Sequence, residues 1–124
     1  MERVEEFTQD GKRFVYIDLS GLKSDDDFVD AINKSKPVIE SAPEMSLYTI
    51  TNIADVRVDT NSKNIIAKYL EHNKPYVKCG AVIGTDGIKN MLLKTIMKLS
   101  GRSNIYFCFT KEQAVKWLLQ QEKE

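Results

Sequence analysis

The stretch YVKCGAVIGTDGIKNMLLKTIMKLSGRSNIYFCF, residues 76–109, decides how the chain is organised. Tyr76 to Gly84 is apolar on both faces and reads as a buried strand. Ile88, Met91, Leu92, Thr95, Ile96 and Leu99 then follow the 3, 4, 7, 8, 11 spacing of one helical face. Gly101 stands where a left-handed residue closes a helix, and Asn104 to Phe109 is a second strand. Strands joined by a helix of this length pair in parallel through a right-handed crossover. The unit is therefore α/β.

The flanks extend the same alternation. Upstream, Val4 to Thr8 and Phe14 to Leu19 flank Asp10-Gly11, a favoured tight-turn pair, and read as a hairpin. Ser24 with Asp27 is an acidic variant of the capping box, and Phe28, Ala31, Ile32 and Ile39 give the stripe of a first helix. Pro37 is expected to end or kink it. Residues 45–53, MSLYTITNI, form a strand with a short return at VRV, residues 56–58. A second helix starts near Asn61 or Ser62, carries Ile65, Ile66, Tyr69 and Leu70, and ends around His72-Asn73. Downstream, Thr110 and Gln113 cap a last helix with Ala114, Trp117 and Leu118 inward. The expectation is one α/β domain over residues 1–124. It has a mixed sheet of four to five strands, an antiparallel N-terminal edge strand and about four helices.

With 124 residues and 14.2 kDa, such a domain can bury a core without disulfides or metals. Eighteen basic and eighteen acidic residues cancel, so no net field draws the chain to nucleic acid or an anionic surface. Cys79 and Cys108 lie in apolar runs and read as small buried hydrophobes rather than a disulfide. The N-terminus is too charged for a signal peptide and no apolar run reaches membrane-spanning length, so a cytoplasmic location is the default.

Catalytic chemistry finds little support. The single histidine, His72, falls at a helix end, where it reads as a surface residue near the dipole, and a dyad with Cys79 would need that strand thiol exposed. One His and two separated Cys offer no metal-ligand spacing, and no cofactor is implied. Gly84 to Asn90, GTDGIKN, lacks the Walker and dinucleotide glycine patterns, and Asp86 would face any phosphate; a turn with Asp86 as N-cap is the better reading. Leu93 and Met97 lie one turn apart on a further face of the third helix, interleaved with Lys89, Lys94, Lys98 and Arg102. They are interface candidates.

The element order, with a strand running into Asp59-Thr60-Asn61-Ser62 at a helix start, resembles the STAS domain, the fold of bacterial anti-sigma-factor antagonists and of the cytoplasmic ends of sulfate transporters. Ala81 to Leu118, ending in an aromatic strand, a Thr cap and Ala-x-x-Trp-Leu, is similar to the SpoIIAA-like STAS subfamily, also compared with CRAL-TRIO lipid-binding domains. In the antagonists that loop reads Asp-Ser-Ser-Gly, and its second serine is phosphorylated by a partner kinase that is also the anti-sigma factor. Carried over, Asp59 matches the Asp, Thr60 the first serine, Asn61 the phosphoacceptor and Ser62 the glycine. Asn61 cannot accept phosphate, so the usual switch is expected to be absent; the alternative is Thr60 or Ser62 as a shifted acceptor.

The resemblance thus implies a non-enzymatic, homodimeric regulatory module binding a protein partner, in its family an anti-sigma-type kinase. The loop at Asp59 to Ser62 and the adjoining second helix would form the partner surface. The alternative is a carrier of a small apolar or lipid-like molecule lodged between sheet and third helix, among Leu92, Ile96 and Phe107.

Overall fold

A computed structural model describes residues 3–56 and 59–121, apart from the side chains of residues 87 and 88. It contains β1 (Val4–Gln9), β2 (Lys12–Asp18), α1 (Asp25–Glu40), β3 (Leu47–Asn52), α2 (Thr60–Asn73), β4 (Val77–Ile83), α3 (Gly87–Ser100), β5 (Ile105–Phe107) and α4 (Lys111–Gln120). The sheet runs β1-β2-β3-β4-β5. β1 pairs with β2 antiparallel and every other neighbouring pair is parallel. The mixed α/β sheet with an antiparallel N-terminal edge strand is thus as the sequence predicts.

Strands added in sequence order through right-handed crossovers place their connecting helices on one face. Accordingly Phe28, Ala31 and Ile32 of α1, Ile66 and Tyr69 of α2, and Leu93 and Ile96 of α3 share one core with Val15, Ile17, Val82 and Ile105. The strand residues between these point the other way. Phe14, Tyr48, Ile50, Cys79, Ala81 and Ile83 form a second core, closed by Ala114, Val115 and Leu118 of α4. That period-two alternation explains why the inner strands are apolar throughout.

Of the two alternatives at Pro37, the stop does not occur: α1 continues through it to Glu40. The carbonyl that loses its partner belongs to Asn33, and both residues are exposed, so water can take the missing bond. α2 begins at Thr60 with Asp59 as its cap, one or two residues earlier than its apolar stripe suggests. Of the expected return at 56–58, residues 57 and 58 lie outside the described residues; Val56 is buried and donates to the Ile53 carbonyl at 3.2 Å.

The larger correction concerns α3. Met91 and Leu99, expected in the core, are 72% and 62% exposed, while Leu93 is 5% exposed and Ile96 fully buried. Met97 packs against the same core and Ser100 is buried beside it. The inward row is Leu93, Ile96, Met97 and Ser100, so the helix is turned by about a third of its circumference from the expected orientation.

Candidate functional site

The loop Asp59 to Ser62 lies at the carboxyl end of the parallel strands, where open α/β sheets usually place their ligands. Its conformation follows from the needs of the α2 N-terminus. Asp59 Oδ1 accepts a hydrogen bond from the Ser62 amide at 3.0 Å, and Ser62 Oγ accepts one from the Asp59 amide at 2.7 Å. The same hydroxyl donates to the Asp59 carbonyl at 3.2 Å. This is a reciprocal capping box, and it leaves Ser62 buried. Thr60 and Asn61 are exposed as the first two helical residues. Of the loop's two hydroxyls, only that of Thr60 faces solvent.

The rest of the rim is tied together internally. Asn52 donates to the Tyr16 hydroxyl at 3.1 Å and accepts from the Ala54 amide at 3.0 Å. Lys23 donates to the Asp55 carbonyl at 2.6 Å and Lys89 to that of Ile53 at 3.3 Å. Gly84 holds φ at +81°, and a Cβ there would stand 2.6 Å from the Ala54 nitrogen, so the β3 and β4 turns touch backbone to backbone. Asp86 caps α3 by accepting from the Lys89 amide at 2.9 Å, as the sequence indicates. With Asp59 and Asp86 over the two helix N-termini, carboxylates occupy the positions an anion would need.

His72 bridges Glu40 and Asn73, with 2.8 Å on each side, tying the ends of α1 and α2. No group of three or more metal-binding side chains occurs among the described residues. Cys79 and Cys108 are both buried free thiols, and burial pushes both thiols up. No helix among the described residues is long and apolar enough to cross a membrane.

The interface expectation for Leu93 and Met97 is corrected: both turn inward and line a hollow between the sheet, α2 and α3. Phe107 lines it too, with Leu19, Ile53, Ile66, Val82 and Ile105, whereas Leu92 and Ile96 do not. The hollow measures about 40 Å³, far below the roughly 300 Å³ of a site for a drug-sized ligand, so a lipid-like molecule does not fit. Beside it lies a smaller hollow of about 20 Å³, where Thr49, Asn73, Gly80 and Arg102 meet the apolar side chains of Leu70, Val82 and Ile105. Sequence reasoning passed over this second hollow. Its one signal was Gly80, a glycine inside a strand, which often marks close approach.

The outward face of α3 carries what Leu93 and Met97 were expected to supply. Met91, Thr95 and Leu99 form an exposed row at four-residue spacing, flanked by exposed Lys94 and Lys98. α3 contains no carboxylate. Phe109, 84% exposed, follows the edge strand β5.

No protein-family model matches the chain, and no curated protein matches it either.

Proposed function

We propose that this chain is a non-enzymatic, STAS-like regulatory module that binds protein partners, forms homodimers and works without the usual serine phosphoswitch. The observation that carries this reading is the exposed row Met91 and Leu99 on α3, reinforced by Phe109 at the open β5 edge. Large apolar side chains grouped in this way are costly to leave in water and mark contact surfaces. The closed capping box supports the second half: phosphate on Ser62 would require the hydroxyl to leave the bonds that start α2. Thr60 remains as the exposed hydroxyl, and an anti-sigma-type kinase is the partner class that the resemblance suggests.

The test is a Met91→Glu, Leu99→Glu double variant followed by sedimentation velocity and thermal melting. The expected result is a wild-type dimer and a variant monomer that still melts cooperatively, at or somewhat below the wild-type temperature. A monomeric wild type, or a variant that still dimerises, would rule out this surface. Intact mass after incubation with a STAS-directed kinase is expected to be unchanged in a Thr60→Ala variant.

A further inference from the structure

The chain is neutral overall, but its charges are unevenly spread. Between Asp86 and Glu112 there is no carboxylate, while Lys89, Lys94, Lys98, Arg102 and Lys111 all fall in that stretch. Three of these cations are engaged within the fold. Lys89 donates to the Ile53 carbonyl at 3.3 Å, and Arg102 is buried, donating to the Leu70 carbonyl and Asn104. Lys111 lies 4.7 Å from the centre of the Tyr16 ring and 3.8 Å from Glu5. That leaves Lys94 and Lys98, both exposed on α3, and neither makes an ion pair among the described residues.

Helix geometry fixes where these two stand. At about 100° per residue, Lys94 and Lys98 share one flank of the row Met91, Thr95 and Leu99, roughly 6 Å from each other. The exposed Lys74 at the end of α2 adds a third cation beside the end of α3, its Nζ 3.2 Å from where a Cβ on Gly101 would be. A second copy meets this face at a disadvantage. A two-fold contact of antiparallel α3 helices across Thr95 brings the same flank of both helices together. The lysines at 94 and 98 of both copies then crowd one rim, with no α3 carboxylate between them. The apolar row favours that contact and the charges oppose it. A helix with carboxylates along one flank keeps the apolar contact and turns the repulsion into attraction.

We propose that the outward face of α3 takes an acidic amphipathic helix of a partner protein in exchange for the second copy of this chain. The inference rests on the reading of Met91 and Leu99 as a contact surface; it adds the chemistry of the partner and the exclusion of dimer by complex. Apolar side chains of the partner at helical spacing lie on Met91, Thr95 and Leu99, and its acidic flank meets Lys94 and Lys98. The row spans eight residues, about 12 Å of helix, so it holds one helix at a time.

The test titrates the full chain against a trace of fluorescein-labelled, end-capped peptide of about five helical turns, with leucines at helical spacing and glutamates between them. Its counterpart carries lysine at every glutamate. Anisotropy reads the affinity and sedimentation velocity the assembly. The acidic peptide is expected to saturate at one per chain, to weaken several-fold between about 50 and 300 mM salt, and to split the dimer. The basic peptide is expected to bind about tenfold more weakly, or worse. Lys94→Gln with Lys98→Gln is expected to cost the acidic peptide about tenfold, the size of two exposed ion pairs, and to tighten the dimer. No saturable binding, equal affinity for the two peptides, unchanged affinity in the Lys94→Gln, Lys98→Gln variant, or a dimer that persists with peptide bound would each overturn the proposal. A monomeric wild type with the same peptide preference would support the acidic partner and remove the dimer alone.

Discussion

Ser62 starts a helix, and the hydroxyl that would accept a phosphate is the one that completes the capping box with Asp59. Ser62→Ala is expected to cost about 1 kcal/mol in urea unfolding, the usual worth of a capping hydroxyl. Thr60→Ala, at an exposed first helical position, should change stability by less than about 0.5 kcal/mol. Gly84 is a harsher case. An alanine there meets both a left-handed φ of +81° and backbone atoms 2.6 Å away, so Gly84→Ala should cost at least about 3 kcal/mol, seen as a lower urea midpoint with an unchanged slope. Capping at Asp86 and Thr110 was legible from spacing alone, because a cap and its amide lie three residues apart. The approach of Gly84 to Ala54 was not, because it joins turns thirty residues apart in the chain.

At the scale of elements, α3 is the instructive case. It has apolar residues on two adjoining faces, and periodicity counts both without ranking them. The helix packs side by side with α2 and follows the last interior strand, so only the face turned toward α2 and the sheet finds partners. Leu93→Ala is expected to cost about 2–5 kcal/mol in chemical denaturation, as buried leucines do. Met91→Lys with Leu99→Lys should leave monomer stability within about 0.5 kcal/mol. At concentrations where the wild type is dimeric the loss is expected to be larger, because the outward row is then buried in the wild type alone. α1 makes a smaller point: a proline in a helical stripe reads as a stop or a kink, and here, at an exposed site, the helix continues past it.

For the molecule as a whole, the two-sided sheet places titratable groups in both cores. Burial raises Cys79 and Cys108 above the ordinary thiol value of 9.0, and Tyr69 above 10.0. A group whose folded value is raised keeps its full contribution below the unfolded value and loses it as pH rises through the folded one. The contribution of these three groups to the unfolding free energy should therefore be level below about pH 9.0 and fall above it. Arg102, drawn down by its burial to about 10, opposes the fall above that value, because there the unfolded chain holds the extra proton. Replacing both thiols by alanine should remove the part of the decline that begins near 9.0. Neither thiol should react with a thiol-specific reagent until the protein unfolds, which a kinetic absorbance assay would follow.

The sequence by itself determined the order of elements, the mixed sheet and most of the helix caps, since period two, period 3.6 and three-residue caps are properties of neighbouring residues. Only the tertiary structure decided which face of α3 is exposed, that Ser62 is sealed, and that Thr49, Gly80 and Arg102 converge on one hollow. Those outcomes depend on which segments cover one another, and burial and unpaired charge acquire their meaning only once the sheet has brought distant residues together.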